Sequence, residues 1–219
     1  MNKVIISKDN VIKQFDSAVR FYNEIDMRNN FSGNFKIPEI VGLNNVTLTI
    51  EYEKIDCLSL SKFTQSLDLE QIIDLISYIP VKEGNRKKWD QKLFLLSKIR
   101  EDYLIKFIKG VNINSNCLMH GDFRPHNILK SEKGIYLIDF EFSDYGDKER
   151  DMAYFYNGLL YFNPLLARDY FNLVKKTTNY PNFLFYCLFY NHAARNNPLS
   201  DKEALNIIET DIKKEIKKL

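Results

Sequence analysis

The sequence predicts an α+β fold in which a small antiparallel β-sheet carrying one helix precedes a mainly helical remainder. Three observations predict it. Short β-type runs rich in Val, Ile and Thr fill the first fifty residues, apolar residues recur at helical spacing from Leu69 onward, and one short hairpin around Ser131 to Gly134 interrupts the helical part. The chain has 219 residues, 45% hydrophobic and 27% charged, which is ordinary for a globular protein and argues against disorder. No internal repeat, low-complexity linker or second domain is visible, so a single domain spanning 1–219 is expected.

Residues 4–7 and 10–15 read as a hairpin turning at Lys8 and Asp9, with Lys13 alternating against apolar neighbours. Asp16 and Ser17 are good helix starters, and Ala18, Phe21, Tyr22 and Ile25 share one face of the helix that follows, with Glu24 on its flank. Residues 37–41 and 46–52 read as two more strands. Asp68 caps a predicted helix through Leu69, Ile72, Ile73, Ile76 and Ile79 that ends at Pro80 and Gly84, and Trp89, Leu93, Leu96, Ile99 and Tyr103 mark a second, longer one. Further helices are expected over 152–160, 165–174 and 183–194. A capping box at Ser200 to Glu203 opens a last helix striped by Leu205, Ile208, Ile212, Ile216 and Leu219.

The stretch with chemical content is 118–142, LMHGDFRPHNILKSEKGIYLIDFEF. Asp122 and Asn127 stand five positions apart, and Asp139 follows a hairpin whose turn is Ser131, Glu132, Lys133 and Gly134. Transfer of a γ-phosphoryl group passes through a loose transition state, so a protein catalysing it mainly positions reactants and offsets charge. Asn127 and Asp139 are an oxygen-donor set of the kind Mg²⁺ takes, with no soft thiolate. Asp122 is left to orient an acceptor hydroxyl and take its proton late, and Arg124 can reach phosphoryl oxygens with its forked donors.

HGDFRPHN and LIDFEF resemble the catalytic and metal-binding segments of the protein-kinase-like superfamily, and more closely its aminoglycoside phosphotransferase and choline kinase branch. Protein kinases carry Arg where this chain has Gly121 and Gly where it has Glu141, which favours a small-molecule acceptor, although Arg124-Pro125 is similar to their Lys-Pro. The resemblance implies a bilobal protein-kinase-like fold: an N-lobe over 1–53 with the inter-lobe hinge near its end, and a helical C-lobe over 54–219 holding a catalytic loop at 118–130 and a metal segment at 135–142. It also implies roles. Asp122 is the catalytic Asp, with Arg124 beside it, and Asn127 and Asp139 are the metal ligands. Lys13 pairs the nucleotide phosphates with Glu24 as its partner, backbone groups near Glu51, Tyr52 and Glu53 meet the adenine edge, and Leu129 and Ile138 belong to the nucleotide site. Mg²⁺ is the expected cofactor, ATP or GTP the co-substrate, and a small hydroxyl compound such as an amino sugar, amino alcohol or sugar the acceptor. The family's further strand and phosphate-covering loop are shortened or missing ahead of Val4, so either the turn at 7–10 does the covering, or nucleotide affinity is weak, or the chain is a degenerate relative that binds without turnover.

A net charge of +2 gives no electrostatic case for nucleic acid or an anionic membrane, and the Lys-rich end KKEIKKL reads as a solvated helix face. Cys57, Cys117 and Cys187 are widely spaced in apolar settings, and the N-terminus has no signal-peptide core, so a reducing cytoplasmic setting is expected. Other readings are open. His120, Asp122, His126 and Asp139 can be read as a transition-metal cluster of a hydrolase; the same fold can bind nucleotide without turnover; and a protein-directed kinase fits Arg124-Pro125. The acidic residues Glu141, Asp144, Asp147, Glu149 and Asp151 can hold a cationic acceptor, and Tyr154, Tyr156 or Tyr161 can line its pocket.

Overall fold

The computed structural model describes residues 2–59, 69–76, 91–113, 117–198 and 200–219. The chain is α+β and divides into two compact units, Met1–Ile79 with His120–Asp144, and Pro80–Met119 with Tyr145–Leu219.

The first unit is built on a four-stranded antiparallel sheet in the order β1-β2-β4-β3, from β1 (Lys3–Ile6), β2 (Asn10–Gln14), β3 (Ile40–Asn44) and β4 (Thr49–Glu53). Register sets Val4 beside Lys13 and Lys13 beside Ile50. Side chains two apart share a face of a strand, so Val4, Ile6, Val11, Lys13, Ile50 and Tyr52 share one face of the sheet while Glu51 falls on the other. The β1–β2 turn is where the sequence puts it, closed by Ser7 and Asn10: Ser7 N–H donates to the Asn10 carbonyl (2.9 Å), and Asn10 N–H to the Ser7 hydroxyl (3.0 Å). The other two strands lie later than the sequence suggests. Val46 and Thr47 form a turn whose N–H groups both donate to Asn44 Oδ1 at 3.0 Å, and Leu48 is left-handed (φ 51°), so β4 begins at Thr49. The segment before β3 is engaged elsewhere: Lys36 exchanges backbone hydrogen bonds with Ile135 and Leu137.

Helix α1 (Ala18–Arg28) starts at Ser17 but turns a different face inward from the one its apolar pattern suggests. Phe21, Glu24, Met27 and Arg28 are buried, while Tyr22 is half exposed and Val19 more so. Phe21 packs with Phe15 and Ile50, and Ile25, Ile40, Leu48 and Tyr52 surround them. Burying an aromatic there stabilises by roughly 2 kcal/mol, enough to set the helix's rotation against the preference of its flanking charges. The hairpin β7 (Ile128–Ser131) and β8 (Gly134–Leu137) has the expected turn, and β5 (Leu58–Ser59), which the sequence does not signal, pairs with β7. Helix α2 covers only Leu69–Ile73, since Ile76 leaves the helix to bridge Gly33. The expected cap Asp68 and the expected end at Ile79, Pro80 and Gly84 lie outside the described residues, as does Trp89.

Among the described residues the second unit holds a two-stranded sheet of β6 (Cys117–Met119) and β9 (Asp144–Gly146) and six helices. The single long helix expected through Leu93 and Tyr103 is two, α3 (Gln91–Lys98) and α4 (Asp102–Gly110), because Glu101 is extended and starts a new helix. Leu95 and Ile99, not Leu93, face inward. Helices α5 (Lys148–Phe162), α6 (Pro164–Thr177) and α7 (Tyr180–Ala194) include the expected spans, and α7 is buried along nearly its whole length. Helix α8 (Lys202–Ile216) is capped by Asp201 rather than Ser200: its carboxylate accepts from the N–H groups of Glu203 and Ala204. Leu205, Ile208, Ile212 and Ile216 are buried as the stripe predicts, and Leu219 is exposed. None of the three cysteines forms a disulfide, and among the described residues no helix is long and apolar enough to cross a membrane.

Candidate active site

The first unit gathers the singled-out residues from four separate segments. Lys13, near the end of β2, has its Nζ 2.5 Å from Asp139 Oδ1, 3.3 Å from Glu141 Oε2 and 3.8 Å from Glu24 Oε2. The ammonium also lies 4.5 Å from the centroid of the Phe15 ring. Burial alone would lower the Lys13 pKa, and the charges of Glu24, Asp139 and Glu141 more than reverse it, so the lysine is held charged. Glu24 experiences the opposite balance. Its burial pushes the carboxyl up to about 7 against the pull of Lys13, and its Oε1 accepts from the Tyr52 hydroxyl at 3.1 Å.

Asp139 follows β8 in a left-handed backbone conformation (φ 71°), one that Asp tolerates better than most residues. Glu141, buried two residues on, is fixed from other sides: Asn2 donates to its carboxylate and Asn23 to its carbonyl. The sequence set Glu141 aside as a feature of the acceptor side; the structure puts it on Lys13. Asp147 and Glu149 are likewise spent within the second unit, Asp147 on Tyr186 and Asn182 and Glu149 on the N–H of Asn179. The acidic run therefore offers less to a cationic acceptor than its composition suggests.

Asp122 sits in the loop before β7, 4% exposed. Its Oδ1 accepts from Arg124 Nε at 2.6 Å and stands 2.5 Å from Arg124 Nη2, while Asn127 Nδ2 donates to Asp122 Oδ2 (2.9 Å) and to its carbonyl (2.8 Å). With its amide hydrogens directed at Asp122, Asn127 has its carbonyl Oδ1 as the atom suited to a cation. Pro125 starts the 3₁₀ turn Pro125–Asn127 that brings Asn127 back toward Asp122. The loop is tied to the strand before Asp139 by Ile138 N–H to the Asn127 carbonyl (3.1 Å) and by His120, whose Nε2 donates to the Ile138 carbonyl (2.9 Å) while Nδ1 accepts from Asp122 N–H. His120 is fully buried among Phe31, Phe123 and Phe140. Among the described residues no three His, Cys, Asp or Glu side chains gather to hold a metal ion, which is what a transition-metal hydrolase requires. A hard ion that takes one or two protein oxygens plus water and phosphate asks less, and Asp139 with Asn127 fits it.

A cleft of about 460 Å³ opens on Lys13, Glu24 and Asp139, within the ~300–1,000 Å³ usual for small-molecule sites. Leu129, Ile138, Tyr52 and Glu53 line it. Glu51 does not: it lies on the far face of the sheet with its carboxylate accepting from Asn10 (2.6 Å). The Glu53 and Lys54 N–H groups are already used, donating to the carbonyls of Glu39 and Asp9. The cleft continues instead along Lys54, Ile55, Asp56 and Cys57, and Arg28 and Pro38 join its wall. Sequence reasoning missed these because Arg28 and Pro38 reach the cleft only through the rotation of α1 and the course of the segment before β3.

Residues 98–182 match the model of the phosphotransferase enzyme family, a span that contains the whole of the 118–142 motif. None of the curated proteins matches the sequence at a significant level. Solved structures share the fold throughout. Aminoglycoside 2'-phosphotransferase-IIIa in its GDP complex aligns with a TM-score of 0.61 at 18% identity, covering 98% of this chain and 90% of that one. Choline kinase LicA from Streptococcus pneumoniae gives 0.56 at 13% identity, covering 100% and 90%. A thermostable mutant of aminoglycoside phosphotransferase APH(4)-Ia, in a ternary complex with AMP-PNP and hygromycin B, gives 0.60 at 13% identity, covering 99% and 93%. The resemblance carried by HGDFRPHN and LIDFEF is thus borne out by a family match that contains both segments, and the fold is similar throughout to those of aminoglycoside phosphotransferases and choline kinases.

Proposed function

We propose that the chain is a small-molecule kinase that transfers the γ-phosphoryl group of ATP or GTP to a hydroxyl of a small acceptor, an amino sugar, amino alcohol or sugar, with Mg²⁺. The observation that carries this reading is the meeting of Lys13, Glu24 and Asp139 at the foot of the cleft, in the same unit as the Asp122–Asn127 network. In this reading the apolar walls, Leu129 and Ile138 among them, take the base, and the segment 54–57, apart from the Lys54 N–H already given to Asp9, supplies its backbone hydrogen bonds. Lys13 moves from Asp139 to the phosphates and keeps Glu24 as its partner. Asp139 and Asn127 Oδ1 would hold Mg²⁺, which when bound neutralises charge on the β- and γ-phosphates. Asp122, kept in place by Asn127, orients the acceptor hydroxyl and takes its proton late in transfer; Arg124 steadies the same carboxylate and meets the transferred phosphoryl oxygens. The neighbours' substrates, hygromycin B in one solved complex and choline by another's name, support an acceptor of this size.

The test is labelled-phosphate transfer from ATP and from GTP, with Mg²⁺, to a panel of amino sugars, amino alcohols and sugars. Acceptor-stimulated transfer that is lost in both Asp122→Ala and Asp139→Ala is expected. Nucleotide binding without any stimulated transfer would replace this reading with that of a nucleotide-binding protein of the same fold.

A further inference from the structure

Asn23 stands one residue before Glu24 on α1 and is half-buried. Its amide Nδ2 donates to the Glu141 carbonyl at 3.0 Å and to the Ser143 carbonyl at 2.9 Å. An amide nitrogen carries two hydrogens, so both are spent on the segment just beyond Asp139. Arg20, one turn earlier on α1, lies over the Phe142 ring of the same segment, its guanidinium carbon 4.8 Å from the centroid. Residues three and four apart share a helix face, so Arg20, Asn23 and Glu24 together present one side of α1 to the chain after β8 and to Lys13.

Asp139 depends on its surroundings for its aim. Residues 138–143 belong to no strand or helix, and the aspartate's own backbone is left-handed. On the upstream side Ile138 is fixed by its bonds to Asn127 and His120. On the downstream side Ser143 N–H closes a turn onto the Phe140 carbonyl (3.0 Å), and the Ser143 hydroxyl donates to the His120 carbonyl (3.2 Å). The two bonds from Asn23 tie that turn to α1, the helix that carries the partner of Lys13. Helix and segment therefore hold one relative position, and the carboxylate of Asp139 is set by it. Groups that orient a metal-binding side chain without touching the metal typically change metal affinity by about 10–100-fold.

We propose that Asn23 is a positioning residue, which aims Asp139 at the metal of a metal–nucleotide complex by holding the Glu141 and Ser143 carbonyls against α1. The proposal rests on the phosphotransferase reading of the cleft. It is tested by calorimetric titration of the intact chain with the β,γ-imido analogues of ATP and GTP, each in EDTA and in Mg²⁺, the ratio of the two affinities being the gain from the metal. In the wild type Mg²⁺ tightens the binding of at least one analogue. Asn23→Ala, checked for a native thermal melt, lowers that gain about ten-fold while the affinity in EDTA changes by less than about three-fold. Asn23→Ser keeps one donor, lowers the gain less, and stands in for the alanine variant if that does not fold. Asp139→Asn lowers the gain by itself, and adding Asn23→Ala lowers it no further, because the asparagine acts through that carboxylate. A folded Asn23→Ala that keeps the gain, that weakens both affinities alike, or that adds its full effect to Asp139→Asn overturns the proposal alone, and so does failure of both Asn23 variants to fold. A wild type that binds neither analogue, or gains nothing from Mg²⁺, overturns the phosphotransferase reading along with it.

Discussion

Gly121 separates His120 from Asp122, and its backbone is left-handed (φ 79°). A Cβ built there falls 2.0 Å from the carbonyl oxygen of Phe142 and 2.7 Å from its carbonyl carbon. Ordinary contact begins near 3.4 Å, so Gly121→Ala must part the catalytic loop from the chain just beyond Asp139 by more than 1 Å, against backbone that cannot swing aside. The left-handed conformation costs an alanine about 1–2 kcal/mol and the overpacking about 1–3 kcal/mol more, for a loss of roughly 2–5 kcal/mol. In a chain of this size that lowers Tm by on the order of 10 °C. Because the displaced segments carry Asp122 and Asp139, a ~1 Å shift is expected to reduce phosphoryl transfer about a hundred-fold in molecules that remain folded. Gly134→Ala is the control. That glycine is also at positive φ (122°), but nothing lies within 4 Å of its added Cβ, so only the strain of about 1–3 kcal/mol remains and transfer is unaffected. Thermal melts and transfer rates of the two variants, measured side by side, decide the matter. If Gly121→Ala melts no lower than Gly134→Ala and transfers phosphate at the wild-type rate, the close approach of the two segments is not what places glycine in the motif.

Arg124→Ala separates catalysis from stability: the arginine side chain is 37% exposed, so its ion pair with Asp122 contributes only about 0–1 kcal/mol to folding, while transfer falls by ten-fold or more; a melt lowered by 10 °C with the rate intact would reverse that assignment. Glu24→Gln tests the buried carboxyl that faces Lys13, Tyr52, Arg28 and, across the lysine, Asp139. The folded carboxyl keeps its proton up to about pH 7 and the unfolded one only to about 4.5, so the stabilisation is present below pH 4.5 and is lost as pH rises through 7. The stability of the wild type relative to Glu24→Gln should therefore fall by up to about 3 kcal/mol across that window in urea melts; a difference that is flat in pH would show that Lys13 holds Glu24 ionised throughout.

By itself the sequence determined the local structure and the spacing of the chemistry. Alternation predicts the β1–β2 hairpin; Ser131 and Gly134 predict the turn of the second; and apolar stripes predict α5 to α8, because each of these depends on neighbours a few residues apart. HGDFRPHN carries its own geometry, since Pro125 and the 3₁₀ turn bring Asn127 onto Asp122 within six residues. What depends on distant partners was not legible. The rotation of α1 follows from Phe21 packing on Ile50, and it takes Glu24 from the flank of the helix into the core and Arg28 into the cleft wall. The face of the sheet that meets the cleft is the one carrying Lys13 and Tyr52, which leaves Glu51 on the other, and the N–H of Glu53, which a strand read alone leaves open, is given to Glu39. Lys13 is the plainest case. In the sequence it is one lysine on a strand; the tertiary structure sets it among Glu24, Asp139 and Glu141 because the sheet, α1 and the loop after β8 converge on a point where buried carboxylates need a cation beside them.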